Sequence, residues 1–315
     1  MPIEQIHPVL MNLTLDYWYF LPLLSFASTL VSTTICSSIF LCLKKGVKKN
    51  ELFTKGLLMT KKRIDRSGED CIVHGMDWMA DELKDFELSN YRKYQFDLIS
   101  KHIGKNILEV GSGDRGFTNQ IITNTQNIER IVSIEPSQTL MEVYKDKYKL
   151  PDYVILSDDN LFDLTPDSYG LFDTIILIHV LEHIEKDREA LTHLHSLLKP
   201  GGKVLIEVPA MPSLFSVHDK MLGHYRRYNK TNFRAMVDPH LYKTNDLWFQ
   251  DAIGMIGSFI FFKFKKIELK SDKGVDLVKN QGKLYDRYLI PLEKFYEKFI
   301  RLPFGLSITG VLEKK

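Results

Sequence analysis

Asn106–Thr118 reads NILEVGSGDRGFT: an apolar run (Ile107, Leu108, Val110) carries one acid, Glu109, into a glycine turn, Gly111-Ser112-Gly113. About one βα unit later a second apolar run, Ile131-Val132-Ser133-Ile134, ends in Glu135, and a third, Tyr153 to Leu156, ends at Asp158. Three apolar strands, each delivering a carboxylate near its C-terminal end, outline a site for a polar, hydroxyl-bearing nucleoside. The reason is topological: ligands of open α/β sheets bind beyond the carboxyl ends of the strands. Working outward, strand-like runs at 106–110, 130–134, 153–157, 172–178 and 202–208 alternate with helical stretches at 116–123, 138–148 and 190–198. Such alternation predicts an α/β fold, a parallel sheet covered on both faces. Lys199-Pro200-Gly201-Gly202 stops the last of these helices and turns the chain into the next strand. Upstream, the apolar spacing of Trp78, Leu83, Phe86, Tyr91, Tyr94, Phe96, Leu98 and Ile99 predicts helix within 77–103.

Bulk composition narrows the class without naming it. The chain has 315 residues, 42 basic against 40 acidic, so no domain-wide basic excess points to nucleic acid. Cys36, Cys42 and Cys71 form no CxxC pair, which argues against a disulfide framework or a zinc ribbon and for a reducing compartment.

The N-terminal part is different in kind. Tyr17 to Leu43 carries no charge, and as a helix at about 1.5 Å per residue it reaches roughly 40 Å, enough to cross a bilayer core with tilt. Tyr17, Trp18 and Tyr19 stand at one edge, and Lys44, Lys45, Lys48 and Lys49 follow the other. By the positive-inside rule this predicts a single-pass membrane anchor with the catalytic part in the cytoplasm. The competing reading is a buried or interfacial helix, favoured by Ser25, Ser28, Ser32, Thr33, Thr34, Ser37 and Ser38. The resulting division is an anchor over 1–45, a basic linker over 46–76 and a catalytic domain over 77–315.

Gly111-Ser112-Gly113-Asp114-Arg115-Gly116 satisfies GxGxxG, and Glu135 lies 19 positions after Gly116. That is the spacing of a dinucleotide site with its ribose acid, and alone it fits NAD(P) nearly as well as S-adenosylmethionine (SAM). Glu109 favours SAM, because inside the first strand it can accept a hydrogen bond from the methionine ammonium, whereas NAD offers that position no cation. Asp158, with Asp159 as the alternative, is placed to meet the adenine edge, near Asn160 and Leu161. Ser112, Pro136 and His179 complete the expected cofactor shell.

The segments ILEVGSGDRGFT, IVSIEPSQTL, FDTIILIHVLEHIEKD and LLKPGGKVLIEVPA occur in this order over 107–210. In that combination the chain resembles the class I SAM-dependent methyltransferases of the small-molecule type 11/12 kind. The resemblance implies a Rossmann-like sheet of seven strands with the last one antiparallel, its final hairpin drawn from the regions around 243–248 and 305–311. It also implies that Gly111 and Gly113 let the backbone approach the methionine portion and that Glu135 accepts from both ribose hydroxyls. One departure stands out: Arg115 occupies the place where such enzymes usually carry a third glycine. On that ground a methyltransferase-fold binding protein without turnover stays open as an alternative, as does an NAD(P)-dependent oxidoreductase.

Acceptor-side candidates cluster after strand five. HDKMLGHYRRY, 218–228, resembles a bacterial methyltransferase subgroup found beside glycosyltransferases, and Asn90-Tyr91 and Leu302-Pro303-Phe304-Gly305-Leu306-Ser307 extend the likeness. His224 or Asp219 is expected to take a proton from an acceptor hydroxyl, with His183 as a further candidate base. Tyr91, His218, Arg226, Arg227 and Tyr228 are expected to hold an anionic acceptor, the arginines through their guanidinium forks. The alternative is a salt-bridge network that merely orders the loop. Glu182 and His183 invite a metal, but spacing supplies no further ligand, so none is assigned. The segment 248–264, WFQDAIGMIGSFIFFKF, reads either as a core strand plus helix or as a surface helix dipping into a bilayer. The expected acceptor is a small molecule or a lipid-linked glycan, not a nucleic acid: nothing at 178–181 resembles the DPPY clamp of base methylases.

Overall fold

A computed structural model describes residues 86–260 and 272–315. The expected anchor over 1–45 and linker over 46–76 lie outside the described residues, as does 77–85 of the pre-core helix. Among the described residues no helix is long and apolar enough to cross a membrane.

The seven strands are β1 (Asn106–Val110), β2 (Arg130–Ile134), β3 (Val154–Ser157), β4 (Phe172–Ile178), β5 (Leu198–Pro209), β6 (Tyr242–Gln250) and β7 (Ser307–Lys314). They form one sheet in the order β3-β2-β1-β4-β5-β7-β6. The first five pair in parallel, and β7 runs antiparallel to both β5 and β6. Helices α1 (Ser89–Ile99), α2 (Gly116–Asn124), α3 (Gln138–Val143), α4 (Pro166–Tyr169), α5 (Asp187–Leu197), α6 (Val217–Met221), α7 (Lys230–Met236) and α8 (Ala252–Ser258) connect them. A continuous helical run over 272–296, α9, precedes β7 and contains π-helical turns at Leu277–Gln281 and Tyr285–Leu289.

Both sheet faces are dry, and successive strand residues alternate between them. Leu108, Val132, Ile175 and Leu177 pack on one side with Leu191, Leu194 and Leu197 of α5. Ile107, Ile131 and Ile176 pack on the other with Phe96 and Ile99 of α1 and Phe117 and Ile121 of α2. Of the described part of the pre-core stretch, Ser89–Ile99 form α1 and Ser100–His102 a 3₁₀ turn. The β4–β5 register slips between Phe172 and Thr174, so that Phe172 faces Leu198 while Thr174 faces Lys203. The glycine turn at 199–202 is thus absorbed within β5, with Gly201 at φ +72°, and α5 ends at Leu197. Within 248–264, Trp248 to Gln250 are buried in β6, as the core reading expects, while Ala252–Ser258 form α8, which buries only Ala252 and leaves Ile256 exposed. Residues 261–264 of this segment lie outside the described residues.

Arg115 shows how the glycine turn is held. It caps α2 in the left-handed region, φ 60°, a conformation that costs a non-glycine residue about 1–2 kcal/mol. Its buried guanidinium points away from the turn to the end of α3, donating to the carbonyls of Met141 (2.9 Å), Tyr144 (2.9 Å) and Lys145 (2.8 Å). A cation on helix-terminal carbonyls satisfies orphan acceptors and opposes the negative end of the macrodipole. Removing it takes a charged donor from each of those carbonyls, leaving Tyr144 only the Lys147 amide at 3.1 Å. Arg115→Ala is expected to lower unfolding free energy by about 2–4 kcal/mol, from the usual value of charge-assisted hydrogen bonds, measured by urea denaturation.

Candidate active site

A cleft of about 1010 Å³ opens at the carboxyl ends of β1, β2 and β4. Gly111 and Gly113 both have positive φ, +72° and +52°. A Cβ on Gly111 would sit 2.6 Å from Val180 Cγ2, whereas one on Gly113 would meet nothing within 4 Å. Gly111 therefore lets the loops after β1 and β4 pass each other, and Gly113 keeps its backbone open to the cleft. The turn is tied to β2: the Gly111 and Ser112 amides donate to the Ile134 carbonyl at 2.8 and 3.1 Å, and the Gly113 amide donates to Glu135 Oε2 at 2.9 Å. Glu135 Oε1 accepts from the Ser137 amide at 3.0 Å, so the acid expected to hold the ribose is oriented by two backbone donors.

Glu109 is buried at the cleft floor, where its Oε2 accepts from Thr118 Oγ1 at 2.5 Å and Ser133 Oγ at 2.9 Å. Burial pushes its carboxyl up to about 7, against the lowering effect of those two hydroxyls. A buried carboxylate with hydroxyl partners alone is poorly compensated, and a ligand ammonium is the counter-charge its position suits. Pro136, Ser112, Asn160 and Leu161 line the same cleft.

The adenine acids are placed otherwise than expected. Asp158 lines a separate shallow pocket beside Arg115 and Tyr169. Asp159 Oδ2 accepts from Ser157 Oγ and Tyr169 hydroxyl, both at 2.6 Å, which holds its carboxyl below the usual range. After β3 it is Asn160 and Leu161 that face the cleft.

At the far end of the cleft stands a charged wall. His179, at φ 55°, lies between Glu182 Oε1 (3.3 Å from Nδ1) and Glu207 Oε1 (3.1 Å from Nε2). Burial alone would lower its pKa, but the two carboxylates raise it to about 10, so it is an imidazolium. Gln95 Nε2 donates to the same Glu207 oxygen at 2.9 Å. Glu207 and Gln95 escaped the sequence reading, although Glu207 carries the same signal as Glu109, an acid inside an apolar strand. Tyr91 lines the cleft from α1, its amide donating to Asp286 Oδ1 at 2.7 Å. His183 lines it from the turn after β4, and burial lowers its imidazole to about 4. Glu182, His183 and His224 each bring one donor atom within 4.8 Å of the others.

The loop 216–229 corrects the anion-binding expectation. Arg226 NH1 bridges to Asp187 Oδ2 at 2.7 Å, and its NH2 donates to the Glu185 carbonyl at 2.6 Å. Arg227 Nε donates to Asp219 Oδ1 at 2.7 Å and its NH1 to the Ala210 carbonyl at 3.2 Å. Tyr228 is buried in the core, with its hydroxyl on Asp187 at 3.1 Å. Neither arginine, nor His218, Asp219, His224 or Tyr228 lines the cleft, where Tyr225 stands in their place. Asp219 is no proton acceptor. It receives the Ser216 amide (2.8 Å), Arg227 and His224 Nδ1 (3.1 Å), and although burial would raise its pKa, these partners hold it at about 2.

A methyltransferase-domain profile matches residues 84–244, half of the chain and every residue that lines the cleft. The chain belongs to the methyltransferase-domain family. Its cofactor is SAM, and the NAD(P) alternative falls with that assignment. The fold is similar to that in the complex between the Trm112 methyltransferase activator of Haloferax volcanii and a methyltransferase, at TM-score 0.51, 11% identity, 76% of this chain and 97% of that one. It is also similar to the N-methyltransferase NodS of Bradyrhizobium japonicum with S-adenosylhomocysteine, at TM-score 0.49, 11% identity, 78% and 99% coverage. No curated protein matches the sequence.

Because Glu109 must be ionised to pair with an ammonium, and its carboxyl sits at about 7, affinity rises as pH climbs through neutrality. S-adenosylhomocysteine is expected to bind about tenfold more tightly at pH 8 than at pH 6, by isothermal titration calorimetry. Glu109→Gln is expected to flatten that profile.

Proposed function

We propose that the methyl group of SAM passes to an oxygen or nitrogen of a small-molecule or lipid-linked, glycan-type acceptor at the cytoplasmic face of a membrane. The observation that carries the transfer itself is the cleft in which Glu109, Gly113 and Glu135 converge from β1 and β2. In the reaction the sulfonium–carbon bond breaks, the acceptor–carbon bond forms, and S-adenosylhomocysteine leaves. The sulfonium supplies the driving force, so the protein mainly positions the pair. The acceptor enters where Tyr91, His179, His183 and Tyr225 line the cleft.

A membrane-side acceptor draws support from α9 and the turns after it. Leu284, Tyr288, Leu292, Phe295 and Phe299 recur at helical spacing and are all exposed, Phe299 at 74%. Exposed Lys283, Arg287, Lys298 and Arg301 accompany them. An apolar stripe among basic residues suits an anionic lipid surface, and it agrees with the uncharged run and lysines expected to anchor the N-terminal region over 1–45.

Full-length protein with methyl-labelled SAM and vesicles of total lipid extract is expected to label the solvent-extractable lipid fraction. Phe295→Asp/Phe299→Asp is expected to reduce that label at least about fivefold with S-adenosylhomocysteine affinity unchanged. Label confined to the aqueous fraction would refute the lipid-linked acceptor. Glu135→Ala is expected to weaken S-adenosylhomocysteine at least about tenfold, since it removes a bidentate acceptor and releases the Gly113 amide; wild-type affinity in this variant would refute the ribose role.

A further inference from the structure

Glu182, His183 and His224 come from two separate loops, the turn after β4 and the loop after α6, yet their donor atoms gather within 4.8 Å. Each has one side fixed by a neighbour. Glu182 Oε1 is held by His179 Nδ1 at 3.3 Å. His183 is hydrogen-bonded to the Gly223 backbone. His224 Nδ1 is held by Asp219 Oδ1 at 3.1 Å, and Asp219 in turn by Arg227. Glu182 Oε2 and His183 Nδ1 are left buried with no hydrogen-bond partner, on side chains 0% and 6% exposed. On His224 the nitrogen left over is Nε2.

Two buried lone pairs in one cluster are costly without a partner, and a proton would serve only one of them. Two imidazole nitrogens and a carboxylate oxygen are the ligand set of first-row divalent cations. The histidine–carboxylate and histidine–backbone bonds behind them are the outer-shell supports such sites carry. Metal–nitrogen bonds of about 2.0 Å bring neighbouring donors to roughly 3.3 Å, so the three ligands, now within 4.8 Å of one another, draw closer on binding.

We propose that Glu182, His183 and His224 bind a divalent first-row cation. His183 lines the cleft, so the ion leaves open positions toward the acceptor. Its role there rests on the methyl-transfer reading above: a coordinated acceptor hydroxyl gives its proton to water, and the oxygen attacks the methyl carbon while the sulfonium electron pair returns to sulfur. The acceptor class this selects is an oxygen nucleophile, preferably one whose neighbouring hydroxyls can chelate.

The test is titration of chelator-treated, tag-free full-length protein with Co²⁺, read by its visible d–d absorption and by calorimetry, with S-adenosylhomocysteine titrated in parallel. One Co²⁺ per chain is expected. His183→Ala, His224→Ala and the nearly isosteric Glu182→Gln are each expected to weaken Co²⁺ at least about tenfold while S-adenosylhomocysteine affinity stays within about twofold, which reports on folding. No uptake by wild type, or equal uptake by wild type and all three variants, would overturn the site. Co²⁺ binding without S-adenosylhomocysteine binding would sink the cofactor assignment and leave the metal site standing.

Discussion

Between β1 and β4 the sheet changes its direction of growth, and the cleft exists because of that reversal. Strands β1, β2 and β3 are laid down one way, and β4 returns to the other side of β1. The helix after β1, α2, packs on the face of Ile107 and Ile176, while α5, after β4, packs on the face of Leu108 and Ile175. Two neighbouring loops that leave for opposite faces must diverge, and the space between them is the only place at that edge where a ligand can reach backbone amides. The divergence starts at Gly111, where no side chain fits against Val180. Everything else at the site hangs on the loops being parted there.

The reversal also concentrates charge where the sheet is driest. Glu109 and Glu207 are both nearly inaccessible, each flanked along its strand by buried apolar side chains. Such carboxylates survive only when partnered, and the partners differ along the cleft. Glu207 has His179 and Gln95; Glu109 has two hydroxyls and, through space, the charge of Arg92. One end of the cleft is therefore compensated by the protein itself, and the other is completed by the ligand. That asymmetry orients a cationic amino-acid portion over Glu109 and leaves the His179 end for the acceptor.

The strands and their order of use were legible because apolar runs ending in acids have no competing explanation in a soluble helix. Five predicted strands fall within a residue or two of β1 to β5 except at the start of β5, where the 199–202 turn is bulged into the strand. The resemblance placed the terminal hairpin. Cofactor contacts on β1 and β2 followed from position alone, since the strand fixes where a side chain near its end must point. After β3 the backbone turns within three residues, and spacing could not say that Asp159 would fold back onto Ser157 and Tyr169 and leave Asn160 at the wall. The α3 helix stops at Val143 instead of continuing to 148, because the Arg115 guanidinium takes up the carbonyls that another turn would have used.

Arg115 and the HYRRY loop make the same physical point from opposite directions. A bulky cation in a glycine turn reads as damage to the cofactor site, yet its side chain leaves the turn and bonds three carbonyls elsewhere, so it gives no support to a non-catalytic protein. Two arginines beside an aspartate in a loop read as a ligand clamp, yet burial of Asp219 at 1% exposure demands a cation on the spot, and Arg227 supplies it. A guanidinium has five donors in a fixed plane. When protein carbonyls and carboxylates lie within reach they use those donors first, because leaving them for a substrate would bury unpaired acceptors throughout the substrate-free state. What such a loop offers a ligand is then the groups its own network holds in place: Tyr225 on the cleft wall, and His224 with one ring nitrogen anchored by Asp219 and the other set free by that anchoring.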